Sequence, residues 1–580
     1  MIKVGKVEKV WNNKFYEKET ANKIQEDLKI NFSFCKLLAQ RGIKDYETSK
    51  SFFRPQLDEL YDPFLMKGMQ KATERISKAI ANNEKIMIFG DYDVDGTTSV
   101  ALVFDFLYYH APNFNKEVLS YYIPHRYNEG YGLSHQAIDK CVEDGIGLMI
   151  TLDCGIKSVQ KIERAKSLGI DVIVCDHHLP DEEELPEAYA ILNPKQADCP
   201  YPFKELSGCG IGFKLISALA KQWDISFYKT VVPYLDLVVT SIAADIVPIN
   251  GENRVLAYHG LQIINQSPRL AIKLIKDAVQ TKAHFSISDL VFSIAPRINA
   301  AGRMDEGSKA VAFFIEKNEA QALLLLKDLQ TDNESRRGVD KSTSEEALDQ
   351  VRQEQVFNRF SSVVFNPNWH KGVVGIVASR LIDHYYKPTI VLTESNDKIT
   401  GSARSVIGFN IHDAIAACSH LLDNFGGHYF AAGLTMPKEN FPAFKEQFEE
   451  VVKNSIQEIS LKPQILIDTD LQLDQVNERF FAILKQFEPF GPENMRPVFI
   501  SKNVHNFNHR SSIVGDNHIK FYITQDNKTA VDGIGFNMGE KFDIVSSGND
   551  FDIVYTIEEN EFRGNVRLQL KVIDIKPSMP

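Results

Sequence analysis

Four short apolar runs in the first half of the chain each stop at an aspartate, and this pattern constrains the fold more than any other feature. IMIFG (86–90) runs into Asp91-Tyr92-Asp93-Val94-Asp95-Gly96, and LMITL (148–152) runs into Asp153. VIVC (172–175) runs into Asp176-His177-His178, and LVVTSIAA (237–244) into Asp245. A fifth run, AIL, occupies 190–192. Short β-branched runs separated by helix-like stretches read as parallel strands buried on both faces. The expected fold class is therefore α/β, with a doubly wound parallel sheet over residues 71–250. In such a sheet the carboxyl ends of the strands share one edge, and ligands bind in the crevice outside it. The four acidic ends should therefore converge.

What converges is a set of carboxylates with two imidazoles. Adjacent carboxylates repel and are driven to protonate unless a cation neutralises them. Oxygen-rich ligands with one or two histidines suit Mn²⁺ or Mg²⁺. Five or six ligands accommodate two ions about 3.5–4 Å apart, an arrangement that assists in-line attack on phosphorus. A single aspartate after a strand is ordinarily a turn former or a helix N-cap. It is the joint occurrence at four ends that points to metal. Cys154, beside Asp153, reads as a small buried residue rather than a nucleophile.

The rest of the chain divides by pattern. Residues 1–70 mix a helical stretch, FSFCKLLAQRGI, with a turn-rich one, SFFRPQLDELYDPF, and carry no visible chemistry. Residues 251–345 read as a helical connector, with KAVAFFIEKNEAQALLLLKDLQ followed by a highly charged helical stretch. Residues 346–460 read as a second α/β unit. SVVF (362–365) and TIVLT (389–393) are its strands, GVVGIVASRLIDHYY (372–386) is a helix, and Pro388 prevents that helix from continuing. NIHDAIAACSHLLDNF reads as a further helix ending in the turn Gly426–Gly427. Over 465–580 the period changes to two. HIKFYIT alternates, and Val566, Leu568, Leu570 and Val572 alternate with Arg567, Gln569 and Lys571. Half-buried antiparallel strands of this kind suit a small β-barrel, of oligonucleotide-binding or SH3-like type.

Composition excludes several classes. The net charge of −12, from 65 basic and 77 acidic residues, argues against a general nucleic-acid sponge but leaves room for a local basic groove. Seven cysteines without a CxxC pair argue against a disulfide scaffold and a thiolate zinc site, and point to a reducing cytoplasm. No window approaches the roughly 18–20 apolar residues of a membrane span, and the charged start lacks a signal-peptide core.

DYDVDG, LDCG, DHH and AADIVP together resemble the motif series of the DHH phosphoesterase superfamily. With PRINAAGR (296–303), HKGVVGIVASRL (370–381), GSARS (401–405), GGHYFAAG (426–433) and FEPFGPENMRPVF (487–499), the chain is similar to the RecJ-type single-strand-specific exonucleases from about residue 70 to 575. The resemblance implies a DHH lobe, a helical connector, a DHHA1-type lobe and a C-terminal barrel of oligonucleotide-binding type. It implies one ion held by Asp93 and Asp153 and a second by Asp95, Asp153, His177 and Asp245, with Asp153 bridging. Asp91 and Asp176 would stand behind these ligands, Asp176 orienting a histidine. His178 would meet the phosphate or the first ion. The implied activity is 5′→3′ removal of 5′-mononucleotides from single-stranded DNA by two-metal hydrolysis, in DNA repair and recombination. A small-substrate phosphoesterase of oligoribonucleotides or pyrophosphate, and a non-catalytic replication factor, are the alternatives. The partners implied are single-stranded DNA, a helicase and a single-strand-binding protein, for a monomeric chain with no membrane contact.

Further residues suit a phosphodiester substrate. Ser402 and Arg404 are two apart on an extended segment, so both can face one side and grip a phosphate. The resemblance makes them the pocket for a terminal 5′-phosphate, with Arg126 as partner. Gly426 and Gly427 allow close backbone approach, and His428 would meet a phosphate. Arg297, Asn299 and Arg303, expected in a loop of small residues, read either as phosphate contacts or as ties between connector and lobe.

Overall fold

The computed structural model describes residues 8–181, 183–279, 284–304, 306–354, 358–562 and 565–578. They form two compact units. One comprises Lys50–Ser335 with Phe487–Met495, and the other comprises the residues before Lys50, Arg336–Gln486 and the chain from Arg496 onward.

The first unit is built on five strands, all paired in parallel. Their spatial order is Leu119–Tyr122, Ile86–Gly90, Leu148–Leu152, Asp171–Cys175, Ala190–Leu192. The second strand in sequence lies on one side of the first, and the remaining three lie on the other. The order thus reverses between Ile86–Gly90 and Leu148–Leu152, a switch point at which a crevice opens. The runs are continuously apolar because both faces are covered. Ile86, Ile88, Leu148, Ile150 and Ile173 enter one apolar cluster, while Met87, Phe89, Met149, Val172 and Val174 enter another. Each such fully buried side chain contributes about 1.5–3 kcal/mol.

The run 237–244 departs from expectation. It lies in a helix, Leu235–Ala244, with Asp245 as its C-cap. Leu235, Leu237, Val238, Val239 and Ile242 are all fully buried. A segment buried on every side carries no amphipathic period, so pattern alone does not separate helix from strand. Three strand ends and one helix end therefore converge. PRINAAGR is likewise not a loop but part of a helix, Ala295–Met304. Pro296 comes just after a π-helical turn, Leu290–Ile294, where the regular i→i−4 ladder is already interrupted, and the small residues Ala300, Ala301 and Gly302 are buried packing positions. The charged stretch after residue 330 belongs to one helix, Glu319–Gln353.

In the second unit a five-stranded sheet runs Asn424–His428, Ala431–Met436, Lys398–Arg404, Thr389–Ser395, Ser362–Phe365, antiparallel except for the last pair. The helix expected to end at Gly426–Gly427 is shorter, Ile411–Ala416, and the two glycines lie inside a strand. Two glycines look like a turn in sequence; here they are an exposed edge whose hydrogen bonds go to Ala431–Met436. Beyond residue 465 the strands Phe499–Asn506, Phe551–Phe562, Asn565–Pro577, Val531–Gly535 and His518–Thr524 pair in turn, and the last pairs back to the first. The ring closes as a barrel of oligonucleotide-binding type and removes its edges. Ile519, Phe521, Ile523 and Leu570 fill it. The segment FEPFGPENM, expected to lead into the barrel, packs with the first unit. Arg254 donates to the carbonyls of Phe52 at 2.9 Å and of Phe487 and Glu488 at 3.0 Å.

Candidate metal centre

The acidic ends meet at the switch point. Asp91, Asp93 and Asp153 form one group of possible ligands, Asp95, His177 and Asp245 a second, and Asp153, His177 and His178 a third, with the ligand atoms of each group within 4.8 Å of one another. Shared members make these one cluster. His177 Nε2 sits among the carboxylates, 3.2 Å from Asp153 Oδ1, 3.6 Å from Asp245 Oδ2 and 3.8 Å from Asp95 Oδ2.

Each side chain is fixed by a local device. Asp93 is the N-cap of the Val94–His110 helix, its Oδ1 accepting from Gly96 N at 3.0 Å. Asp95 accepts at 2.7 Å from the backbone N–H groups of Gly208 and Cys209, which open the Gly208–Gln222 helix, and from Ser241 Oγ. A helix N-terminus favours a negative charge. Asp153 turns the chain after its strand with φ +59°, a left-handed conformation that aspartate tolerates better than most residues. A Cβ at Gly208 would fall 2.7 Å from Asp153 Cβ, so this approach needs glycine. Asp176 serves His178. Its Oδ1 accepts from His178 N at 3.0 Å and lies 2.8 Å from His178 Nδ1, while Oδ2 accepts from Ile156 N at 2.9 Å. His178 Nε2 lies 3.2 Å from the Tyr131 hydroxyl.

Burial, with repulsion from neighbouring carboxylates, holds the carboxyls of Asp91, Asp153 and Asp245 well above the ordinary range and also raises Asp93. Burial pushes His177 down, toward its neutral, ligating form. Burial opposes the charged form of His178 too, but the hydrogen bond and charge of Asp176 outweigh it and raise the imidazole to about 9. Asp91 Oδ1, Asp153 Oδ1 and His177 Nδ1 are buried without a hydrogen-bond partner. Buried polar atoms left so are rare and cost about 1–3 kcal/mol each, more when charged. Crowded carboxylates with orphaned oxygens and a neutral imidazole fit a hard divalent cation such as Mn²⁺ or Mg²⁺.

The second unit holds Ser402 and Arg404, the pair expected to meet a phosphate. Ser402 and Arg404 share one face of the Lys398–Arg404 strand, with Arg404 Nη1 donating to Ser402 Oγ at 2.7 Å and to Ala403 O at 2.8 Å. A Cβ at Gly375 would lie 2.9 Å from Arg404 Nη2 and 3.1 Å from Ser402 Oγ, so the glycine makes room for the pair. Burial lowers the Arg404 pKa, and no carboxylate among the described residues pairs with it. Sheet register puts the Gly-Gly-His segment in line with the pair, one strand removed: Ser402 pairs with Gly433 and Gly433 with Gly426, while Arg404 pairs with Ala431 and Ala431 with His428. Of the other residues, Arg126 lies over the ring of Tyr92 at 4.8 Å. Asn299 Oδ1 accepts from Val94 N at 3.1 Å, tying its helix to the acidic loop. Arg297 donates to Ser293 O one turn back, and Arg303 O accepts from the Tyr127 hydroxyl at 2.5 Å.

Three family models match the chain: the DHH family N-terminal domain over 85–242, the DHHA1 domain over 358–454 and the RecJ OB domain over 467–574. The single-stranded-DNA-specific exonuclease RecJ of Bacillus subtilis is 35% identical over 567 residues, covering 97% of this chain and 70% of that protein. The Escherichia coli protein of the same name is 32% identical, covering 93% of this chain and 95% of its own. The chain belongs to the RecJ family. A crystal structure of Thermus thermophilus RecJ in complex with Mn²⁺ shares the fold, with a TM-score of 0.82 at 24% identity over 98% of this chain and 80% of that one.

Several residues of this RecJ-family centre were not evident from sequence. Gly208, Cys209 and Ser241 hold Asp95 but carry no motif of their own. Asn193 Nδ2 donates to His178 O at 2.8 Å. Tyr131 is signalled only by its place in YNEGYG. Glu129 closes the loop that bears Arg126 and Tyr131. Its Oε1 accepts from Tyr122 OH at 3.0 Å and His125 N at 2.7 Å, and its Oε2 from Ser134 Oγ at 2.5 Å. Glu129→Ala removes all three bonds, about 2–3 kcal/mol of local restraint. Faster hydrogen exchange over 125–132 and about tenfold lower kcat/KM, mostly through KM, are expected. Unaltered exchange in that loop would refute this role.

Proposed function

We propose that the chain is a single-stranded-DNA-specific exonuclease, working from the 5′ end and releasing 5′-mononucleotides with two Mn²⁺ or Mg²⁺ ions. The observation that carries this reading is the cluster itself: Asp93, Asp95, Asp153, His177 and Asp245 at one switch point, with buried carboxylate oxygens left unpartnered. Its substrate comes from the relatives named single-stranded-DNA-specific exonuclease RecJ. Asp93 and Asp153 would hold one ion and Asp95, Asp153, His177 and Asp245 the other; Asp91, grouped with Asp93 and Asp153, supports the first. When bound, such a pair supplies Lewis acidity for attack on phosphorus and for the leaving oxygen.

The chain's own residues do the rest. The three donors on Asp95 keep that carboxylate from turning. Asp176 engages His178 through Nδ1, which turns Nε2 outward, beside the Tyr131 hydroxyl, where a phosphate oxygen would take over that contact. Ser402 and Arg404 grip a terminal phosphate, with His428 on the same sheet. The reading extends to a monomeric cytoplasmic chain acting in repair and recombination beside a helicase and a single-strand-binding protein. No helix among the described residues is long and apolar enough to cross a membrane. The barrel favours a polymeric strand over a small phosphoester, and the filled ligand positions favour an enzyme over a non-catalytic relative.

The test is digestion of 5′- and 3′-labelled single strands with Mn²⁺, Mg²⁺ or chelator, alongside a duplex and a two-nucleotide RNA. Mononucleotides released from the 5′ end of the single strand, only with metal, are expected; preference for the dinucleotide would replace the reading with a small-substrate one. The barrel should add strand affinity. Arg567 and Lys571 are exposed on one face of the Asn565–Pro577 strand. Replacing both by glutamine should lower the salt slope of binding by about 0.7 per lost phosphate contact. An unchanged slope and affinity would show that this face does not touch DNA.

A further inference from the structure

Asp245 closes the Leu235–Ala244 helix as its C-cap, and the next residue, Ile246, takes φ +60°. The position after a helix C-cap is where chains turn left-handed, and glycine or asparagine is the ordinary occupant. A β-branched side chain there crowds its own backbone. Such strain persists when core packing offsets it, yet Ile246 is 66% exposed while Val247 and Ile249 after it are buried. Neither helix geometry nor the core explains an isoleucine at this place. Its position is specific: the adjoining Asp245 carboxylate stands 3.6 Å from His177 Nε2, inside the metal cluster. Leu179, which follows His178 on another segment of the cluster, is likewise exposed, at 70%. The charged centre thus has apolar side chains on residues bordering it. Local rules are broken most often where a ligand supplies the missing reward.

We propose that Ile246 is a substrate contact, packing against the base of a nucleotide whose phosphate enters the metal centre. The inference rests on the exonuclease reading and adds to it a specificity residue that senses the base rather than the backbone. A phosphodiester strand presents a flat apolar face beside every phosphate, and an aliphatic side chain packs on such a face without hydrogen-bond readout, so the contact tolerates any sequence.

The full chain is compared with Ile246→Gly, Ile246→Asn and Ile246→Val on a 5′-phosphorylated single strand and on the same strand with abasic residues at its 5′ end. Glycine and asparagine suit the left-handed turn, so unfolding midpoints at or above the parent's show intact folds. On the normal strand the glycine and asparagine variants should raise KM about tenfold with kcat within about twofold, while valine keeps most of the parent's affinity. On the abasic strand the difference between parent and glycine variant should vanish. An equal penalty on both strands, or a parent-like KM in the glycine and asparagine variants, overturns the inference while the exonuclease reading stands. A parent chain that leaves the strand intact overturns both.

Discussion

Asp153→Asn eliminates turnover and leaves the fold intact. Asparagine keeps the shape of the side chain and accepts the left-handed φ of this position. It removes the carboxylate that two ligand groups share, so both halves of the cluster lose a ligand at once. A loss on the order of 10³-fold or more in kcat is expected, about 4 kcal/mol of transition-state stabilisation. Stability should move the other way. Burial and neighbouring charges raise the Asp153 carboxyl in the folded chain. A group whose folded pKa lies above its unfolded value costs stability at neutral pH, and the cost shrinks as pH falls below the folded value and is gone only below the unfolded one. The metal-free variant should therefore unfold at or above the parent's temperature near neutral pH, with the advantage fading on acidification. Added Mn²⁺ should raise the parent's midpoint more than the variant's, because a cation relieves the same repulsion. Near-parent turnover, or equal stabilisation of both proteins by Mn²⁺, would end the shared-ligand model.

Ser402→Ala combined with Arg404→Ala abolishes the advantage of a 5′-phosphorylated end. Arg404 is a partly desolvated guanidinium without a carboxylate partner among the described residues, held by Ser402 Oγ. Charge-assisted hydrogen bonds are worth about 1.5–3 kcal/mol, so the preference for a phosphorylated over a hydroxyl end should fall by about 10- to 100-fold. Turnover of strands with a 5′-hydroxyl should change little, which separates a lost grip from a damaged sheet. A double variant that keeps the full preference would remove the grip from these residues.

The sequence alone determined the parallel sheet of the first unit and most of its metal centre. Ile86–Gly90, Leu148–Leu152 and Asp171–Cys175 are legible because burial on both faces demands an unbroken apolar run, and the sheet's geometry then sends whatever follows each run to one edge. The alternation in His518–Thr524 is legible for the converse reason, one wet face and one dry. Tertiary structure alone decided the rest. The 237–244 run is a helix that sequence could not reveal, because it is buried on all sides, where an apolar segment has no period to betray its type. PRINAAGR is a helix because close packing, not flexibility, selects its small residues. The anchoring of Asp95 joins it to Gly208, Cys209 and Ser241, and the alignment of Ser402 with Gly426 across the intervening Gly433 depends on strand register. Local periodicity reports how a segment is buried. Which distant donor meets which acceptor is set by pairings between segments far apart in the chain, and those are fixed only when the packed structure forms.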